Sequence, residues 1–360
     1  MNRTITPPEG DEHMSEIDAS VTASYKTGLF GVPSDMHSAK IVIIPVPWEV
    51  TTSYGSGAAL GPECVWKASP QVDLFDLEVG NSYEQGYHLL EIPESIRVLN
   101  DKLKPKALAV REALETERQL GTTMEKTLRE INAGCAEMSA WVYLTASEIL
   151  KRGQIPAVLG GDHSSPEGNI RAVSEAYNGE FGVLHFDAHA DLRSQYQGFE
   201  RSHASIMNNV MTASWKPKKL VQVGIRDFSE EEYRLISTTE AIETYFDANL
   251  KRALFEGESW SSICQRIVGG LPENVYISFD IDGLSPEYCP HTGTPVPGGL
   301  SFDQALYLLR VLKESGKRIV GFDLNEVAPS GDEGDEWDGN VGARLLYKMC
   351  GWTVLSQPRS

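Results

Sequence analysis

The stretch from Phe181 to Asp191, FGVLHFDAHAD, ends in alternating residues of the types that bind metal ions. Asp187, His189 and Asp191 are two positions apart, and side chains at that spacing in an extended segment point to the same side. Carboxylate oxygens and imidazole nitrogens are common ligands of divalent metals. Because an Asp at a strand end can equally cap the following helix, this motif indicates metal chemistry only together with other residues.

Three further apolar runs, IPAVL, VYISF and RIVGF, lead into polar side chains in the same way. The residues that follow them are Asp162 and His163, then Asp280 and Asp282, and finally Asp323 and Glu326. Short apolar runs separated by helix-forming stretches are typical of parallel strands with helices on both faces of the sheet. Ligands bind beyond the carboxyl ends of such strands, so we expect these side chains to form one site.

The charges of this set point to metal chemistry. Four carboxylates in one site would repel one another at neutral pH, and two divalent cations would balance their charge. Two histidines and four aspartates without a thiolate suit Mn²⁺ better than structural zinc, while imidazole also leaves Ni²⁺, Co²⁺ and Zn²⁺ open. Two such ions can lower the pKa of a shared water and generate hydroxide near neutral pH. The residues therefore predict a hydrolase with two divalent metal ions.

The rest of the chain predicts the elements that position this site. Residues 39–46, AKIVIIPV, indicate a central strand, and a helix is expected to start near Pro62. Residues 105–152 are helix-forming, with interruptions expected near Gly121 and Gly134. The glycine-containing loop before Pro62 lacks the spacing of the common phosphate-binding motifs, so we expect a purely structural loop there.

The N-terminal residues differ from the rest of the chain. Residues 1–38 are polar and turn-rich, and we expect an extension that is partly disordered or that covers a neighbouring subunit. Residues 39–360 contain no internal repeat and no linker, which predicts a single catalytic domain.

The net charge and the cysteines restrict the partners and the compartment. The formal net charge is −19, from 51 acidic and 32 basic residues, which disfavours nucleic acid and membrane partners and favours cationic ligands. The five cysteines are far apart and include no CxxC pair, which argues against a disulfide framework. Since no stretch has the length of a signal-peptide core or a membrane span, we expect a cytoplasmic protein.

Five segments resemble the signatures of the ureohydrolase family, which includes arginases and agmatinases. They are, in order, GGDHS at 160–164, DAHAD at 187–191, SFDIDGLSP at 278–286, GTPVPGGL at 293–300 and NEVAP at 325–329. The resemblance extends from about residue 39 to the C-terminus. It implies a three-layer α/β/α fold with a mainly parallel eight-stranded sheet. It also implies a homo-oligomer, a trimer or a hexamer.

The resemblance further implies a role for each site residue. The two metal ions, Ni²⁺ or Mn²⁺, would have two ligand sets that share two aspartates: His163, Asp187, Asp191 and Asp280 for one ion, and Asp187, His189, Asp280 and Asp282 for the other. Glu326 is expected to bind the guanidinium group of the substrate. His203 is expected to pass a proton to the leaving nitrogen, unless it is a loop histidine that orders the entrance.

The resemblance implies that the substrate is a small cationic guanidino compound, cleaved to urea and an amine or ammonia. The segment after DAHAD resembles agmatinases more than arginases. The N-terminal extension, the segments PWEVTTS and QVDLFD, and Trp337 are similar to the subgroup that hydrolyses free guanidine with nickel. Trp337 would then fill the space of a longer substrate tail, although a Trp is more often a core residue.

Free guanidine is accordingly the substrate that we predict from the sequence. Agmatine and 4-guanidinobutyrate are the alternatives, because the same metal site with a more open pocket would serve them. A more distant alternative is a non-catalytic relative that acts as a binding partner.

Overall fold

The computed structural model describes residues 24–117, 120–332 and 334–358. Its strands are β1 (Ile41–Pro45), β2 (Tyr87–Leu89), β3 (Ile155–Leu159), β4 (Gly182–Phe186), β5 (Lys219–Ile225), β6 (Ile242–Phe246), β7 (Asn274–Asp280) and β8 (Arg318–Asn325). They form one eight-stranded sheet in the order β2-β1-β3-β8-β7-β4-β5-β6. All neighbouring strands in this sheet are parallel.

Ten α-helices occur in the described ranges. They are α1 (Gly61–Ala68), α2 (Glu94–Glu117), α3 (Thr122–Lys151), α4 (Glu167–Ala176), α5 (Ile206–Thr212), α6 (Glu230–Thr238), α7 (Asp247–Phe255), α8 (Trp260–Gly269), α9 (Phe302–Glu314) and α10 (Trp337–Leu355). None of the helices described here has the length and apolar character needed to cross a bilayer.

Helices cover both faces of the sheet, and the side chains of β1 show why. Val42 and Ile44 are buried in a cluster with residues of α2 and α3. Ile41 and Ile43 are buried in a different cluster, together with residues of α1, α9 and α10. Alternate residues of a strand point to opposite faces, so an uninterrupted apolar run supplies both interfaces. The predicted three-layer α/β/α fold is confirmed.

The strands formed by the apolar runs agree with the predictions. The start of α2 and the interruption expected near Gly134 do not. The expected helix near Pro62 is α1, in which Pro62 lies in the first turn. α2 starts at Glu94 and contains Pro105 in its interior, so the helical region begins earlier than predicted. Gly134 does not interrupt α3. A Cβ atom at Gly134 would overlap the Leu103 side chain, so this glycine allows α2 and α3 to pack closely.

Part of the predicted N-terminal extension belongs to the core. Residues 1–23 lie outside the described residues. Leu29 and Phe30 are each only 2% exposed. The Phe30 ring packs edge-on against Tyr347, with ring centroids 4.9 Å apart, and its backbone N–H donates to the Ser69 hydroxyl at 2.9 Å. These apolar side chains fill the α10 side of the sheet, so the described part of the extension contributes to the core. The partial disorder or the cover of a neighbouring subunit stays a prediction.

Candidate metal centre and active site

The four strands that carry the predicted ligands lie side by side in the middle of the sheet, in the order β3, β8, β7 and β4. Because all of them are parallel, their carboxyl ends meet at one edge. His163 follows β3, Glu326 follows β8, Asp280 ends β7 and Asp187 follows β4. Neighbouring strand ends therefore bring together residues that are far apart in the sequence.

The first cluster of side chains surrounds His163. The ring atom Nδ1 of His163 lies 3.0 Å from Asp187 Oδ2 and 3.2 Å from Asp191 Oδ2. The same nitrogen lies 3.2 Å from Asp280 Oδ2. One imidazole nitrogen thus faces one oxygen from each of three buried carboxylates.

The other ring nitrogen of His163 fixes the position of its proton. His163 Nε2 lies 2.9 Å from the Ser278 hydroxyl, and that hydroxyl donates to Asp323 Oδ1 at 2.9 Å. Since the hydroxyl hydrogen is used on Asp323, Ser278 accepts from His163, and Nε2 carries the proton. With Nε2 protonated, Nδ1 can donate to the three carboxylates when it carries a proton, and it would direct its lone pair to a cation bound between them once that proton has left.

The second cluster surrounds His189 and shares Asp187 with the first. His189 Nδ1 lies 3.1 Å from Asp282 Oδ2 and 3.4 Å from Asp187 Oδ1. Asp187 directs Oδ2 to His163 and Oδ1 to His189, so it lies between the two clusters. Asp280 faces the first cluster with Oδ2, while its Oδ1 accepts the backbone N–H of Asp282 at 2.9 Å.

The electrostatics of these groups fit a pair of divalent cations. Burial, together with the charges of Asp282 and Asp187, raises the pKa of Asp280 well above its usual range. Burial and the charge of Asp187 also raise the pKa of Asp191. Burial alone would lower the pKa of His163, but its hydrogen bonds to the surrounding carboxylates raise it well above the usual value. Each of these pKa shifts reflects an excess of negative charge in the site. Divalent cations bound there would provide the balancing positive charge.

Two residues of the site have backbone conformations that are uncommon for residues other than glycine. Asp191 and Glu326 have positive φ angles of 54° and 63°, which are uncommon for residues with a side chain. The turn before His163 is also tight, since a Cβ atom at Gly161 would overlap the backbone of Trp48. Such strained conformations are concentrated at functional sites.

His203 and Glu326 lie next to the first cluster. Glu326 Oε1 accepts the backbone N–H of His163 at 2.9 Å and lies 3.6 Å from His203 Nδ1. The backbone N–H of His203 donates to the Thr51 hydroxyl at 3.1 Å. Among the described residues, the buried Nε2 atom of His203 has no hydrogen-bond partner. Burial lowers the pKa of His203, but the hydrogen bond and charge of Glu326 outweigh burial and raise it.

A cavity of about 160 Å³ opens onto both clusters. Its lining comes from the metal-type ligands, from His203 and from polar and aromatic residues, namely Ser53, His189, Asp191, Arg193, Tyr196, His203, Ala204, Asp227, Phe228, Glu232, Asp280 and Thr294. The Arg193 guanidinium lies 4.8 Å above the Tyr196 ring, and its Nε is 3.7 Å from Glu232 Oε2. The positive charge in the cavity is thus already paired, which leaves acidic and aromatic surface for a cationic ligand.

Two predicted substrate contacts do not line this cavity as far as the chain is described. Glu326 is only 2% exposed and lies behind His203, the residue that separates it from the cavity. Trp337, the first residue of α10, is 49% exposed, and its indole N–H donates to the backbone oxygen of Glu287 at 2.9 Å. The position of Trp337 gives its predicted substrate contact no support, because the side chain packs on a loop outside the cavity.

Several residues of the site were not found from the sequence. Asp227 lies two positions after β5, and the same pattern of a strand followed by an acid could have identified it. Thr51 lies in the loop that is expected to be purely structural, and it hydrogen-bonds to both His203 and Asp162. No spacing signal could have revealed these contacts because they depend on the tertiary fold.

The parallel sheet, together with two joined clusters of carboxylate and imidazole groups at its carboxyl edge, defines an α/β protein with a candidate two-metal centre, which is an arrangement suited to hydrolysis. Residues 39–351 match the model of the Arginase family. The chain therefore belongs to the arginase family, and the prediction of a ureohydrolase, an enzyme that cleaves C–N bonds of linear amidines, is confirmed.

Individual relatives support this assignment. The chain is 33% identical over 314 residues to the N(1)-aminopropylagmatine ureohydrolase of Thermus thermophilus, an alignment that covers 87% of this chain and 90% of the relative. It is 27% identical to the agmatinase of Pyrococcus horikoshii, with 89% and 94% covered. The proclavaminate amidino hydrolase of Streptomyces clavuligerus has the same fold, with a TM-score of 0.69, 22% identity and 92% and 97% covered.

Proposed function

We propose that this protein releases urea from a guanidino compound that carries an amine tail, agmatine or an N-substituted agmatine. The observation that carries the proposal is the pair of clusters that share Asp187 and open into one acidic cavity. The relative with 33% identity is an N(1)-aminopropylagmatine ureohydrolase, which supports an amine-tailed substrate over free guanidine. The expected cytoplasmic location and the trimeric or hexameric assembly stay predictions.

The proposed metal ligands are the six residues of the two clusters: His163, Asp187, His189, Asp191, Asp280 and Asp282. When bound, two divalent ions supply a hydroxide nucleophile near neutral pH by lowering the pKa of water. Mn²⁺ and Ni²⁺ both accept this mixture of imidazole and carboxylate ligands. Because Ser278 accepts the Nε2 proton of His163, this residue would act as a ligand through Nδ1, which gives up its own proton when a metal binds.

The chain's own residues handle the leaving group. His203 lines the cavity, and its buried Nε2 is available to give a proton to the departing nitrogen. Glu326 faces the opposite ring nitrogen at 3.6 Å and so holds the ring in this orientation. The role of Glu326 as the partner of the guanidinium N–H groups stays a prediction from the sequence, because in the described part of the chain this carboxylate lies behind His203 and does not line the cavity.

The substrate tail would contact the outer wall of the cavity. Asp227 is exposed at this wall and offers a carboxylate to a cationic amine. Phe228 and Tyr196 offer apolar surface to the methylene groups between the amine and the guanidinium group. An anionic tail, as in 4-guanidinobutyrate, would meet like charge at Asp227. Free guanidine has no tail and would gain nothing from these residues.

The test is urea release by protein reconstituted separately with Mn²⁺ and with Ni²⁺. The substrates are guanidine, agmatine, N(1)-aminopropylagmatine, 4-guanidinobutyrate and arginine. We expect the highest kcat/KM with an amine-tailed substrate, and we expect Asp227→Asn to raise KM for agmatine without changing the low activity toward guanidine. Turnover confined to guanidine would restore the substrate predicted from the sequence. No urea from any substrate would indicate a non-catalytic relative.

A further inference from the structure

His185 is a buried histidine that the proposed ligand sets leave without a role. It lies in β4, two residues before Asp187, and its ring centroid is 5.2 Å from that of His163. The ring atom Nε2 of His185 lies 2.8 Å from Asp187 Oδ2. By distance alone, His185 could be a further metal ligand or a hydrogen-bond donor to Asp187. The two roles require the proton on opposite ring nitrogens.

Gln222 in β5 decides between these roles. Its Nε2 atom lies 2.7 Å from the backbone oxygen of Ala190 and 3.0 Å from His185 Nδ1. Its Oε1 atom accepts from the Thr244 hydroxyl in β6 at 2.9 Å. A backbone oxygen can only accept, so the NH₂ side of the amide must face Ala190 and, with it, His185. His185 Nδ1 is therefore an acceptor.

The position of the proton follows from this orientation. When Nδ1 accepts from Gln222, the neutral ring carries its proton on Nε2 and donates it to Asp187. The His163 ring has the opposite orientation, because its Nε2–H group points away from the carboxylates and toward Ser278. The two neighbouring histidines of this cluster thus differ in function: His163 would present a lone pair to a bound metal ion, and His185 presents an N–H group to Asp187.

The sheet register builds this chain of hydrogen bonds. His185 pairs with Gln222 in the β4–β5 ladder, and Gln222 pairs with Thr244 in the β5–β6 ladder. Paired residues of parallel strands point to the same face, so the three side chains form one row across three strands. His185 and Gln222 are fully buried, which keeps water from competing for these groups.

We propose that the row of Thr244, Gln222 and His185 is a positioning device for Asp187, the carboxylate shared by both clusters. This inference rests on the proposed two-metal function. His185 holds Asp187 Oδ2 from the sheet side, while the backbone N–H of His189 holds Oδ1 at 2.6 Å. The carboxylate is thereby fixed in the plane that lets it face both clusters. His185 is a positioning residue and not a metal ligand.

The decisive variant is Gln222→Glu, because the two roles of His185 predict opposite effects on Mn²⁺ affinity. A carboxylate at position 222 can only accept a hydrogen bond, so it favours the tautomer of His185 that carries its proton on Nδ1. If His185 positions Asp187 through Nε2–H, the neutral ring loses this donor when its proton moves to Nδ1, and Mn²⁺ binding becomes about 10- to 100-fold weaker. If His185 is a ligand through Nε2, the new carboxylate supports it as in carboxylate–histidine–metal triads, and binding is retained or strengthened.

A pair of variants at His185 covers the case in which Gln222→Glu does not fold. His185→Phe removes the donor and keeps a ring, and we expect a similar 10- to 100-fold loss of Mn²⁺ affinity. His185→Gln places an amide N–H near the position of Nε2, and we expect it to recover most of the affinity. Equal losses in both variants would overturn the inference. Thermal unfolding of the metal-free proteins checks that each variant is folded.

Nitrogen NMR of the metal-free protein labelled with ¹⁵N-histidine measures the tautomer directly. We expect the His185 signals, assigned by their disappearance in His185→Gln, to show protonation on Nε2 alone. Protonation on Nδ1 would overturn the inference even if the enzyme is active. A native protein that binds no Mn²⁺ would refute the two-metal function and this inference together, whereas native binding with an unaffected His185→Phe variant would refute only the inference.

Discussion

The contact of Thr51 with His203 leads to a sharp prediction about catalysis. The fully buried Thr51 hydroxyl accepts the backbone N–H of His203 at 3.1 Å and donates to Asp162 Oδ2 at 3.0 Å. Thr51→Val keeps the shape of the side chain and removes both hydrogen bonds. We expect kcat to fall, because the loop that carries His203 loses the bond that fixes it beside the cavity.

The size of the effect follows from the groups that lose a partner. The backbone N–H of His203 becomes a buried donor without an acceptor, which costs about 1–3 kcal/mol. Asp162 Oδ2 retains a bond from the Thr51 backbone N–H at 3.3 Å, so its loss is smaller. A displacement of about 1 Å in a group that transfers a proton can cost on the order of 100-fold in rate. We therefore expect a decrease in kcat of about 10- to 100-fold and little change in KM.

Two variants control for effects unrelated to His203. Thr51→Ser keeps the hydroxyl and should retain nearly native turnover. Thr52→Val removes a comparable buried hydroxyl bond, from Thr52 Oγ1 to the backbone oxygen of Glu49 at 3.1 Å, and should lower stability without lowering kcat. Urea release and thermal unfolding of all three variants provide the comparison. Equal kcat values for Thr51→Val and Thr52→Val would refute the positioning of His203 by Thr51.

Three further predictions concern Glu326, the N-terminal segment and the ion pair of His291. Glu326→Gln should retain Mn²⁺ but lose about 10- to 100-fold in kcat/KM for urea release, since a charge-assisted hydrogen bond contributes about 1.5–3 kcal/mol; unchanged turnover would show that another residue holds the guanidinium group. Removal of residues 1–36 should lower the free energy of unfolding in denaturant by at least about 3–5 kcal/mol, because Phe30 leaves the core. Removal of residues 1–23 deletes none of the described contacts and is its control. His291 has a pKa raised above the ordinary 6.5 by its hydrogen bond to a carboxylate of α10, so its stabilisation is present below pH 6.5 and is lost as the pH rises through the raised pKa. His291→Gln should therefore lower Tm more near pH 6 than near pH 9, and equal shifts at both pH values would contradict this.

The positions of the proposed ligands could be predicted because each depends on local sequence and on one general rule. Ile155–Leu159 and Gly182–Phe186 are apolar runs that predict buried strands, and both match β3 and β4. Parallel strands place their carboxyl ends at one edge, so the residues after those strands had to meet. The same reasoning would have found Asp227 if the run before it, LVQVGI, had been recognised as a strand.

The supporting residues were not predictable because they depend on contacts between distant segments. Gln222 and His185 form a pair only because β5 lies beside β4 in one register, and a shift by one residue would turn Gln222 to the other face. Thr51 reaches His203 across 152 positions of sequence. The burial of Phe30 depends likewise on α10, at the other end of the chain. No periodicity within a single segment carries these relations.

In the candidate metal centre, a backbone N–H group holds one oxygen of three of the four carboxylates. Asp187 Oδ1 accepts the N–H of His189, Asp280 Oδ1 accepts the N–H of Asp282, and Asp282 Oδ1 accepts the N–H of Ala188. The second oxygen of each carboxylate faces a histidine Nδ1 atom at 3.0 to 3.2 Å. Fold contacts therefore set the geometry before any cation binds, and binding energy is not consumed in ordering the ligands.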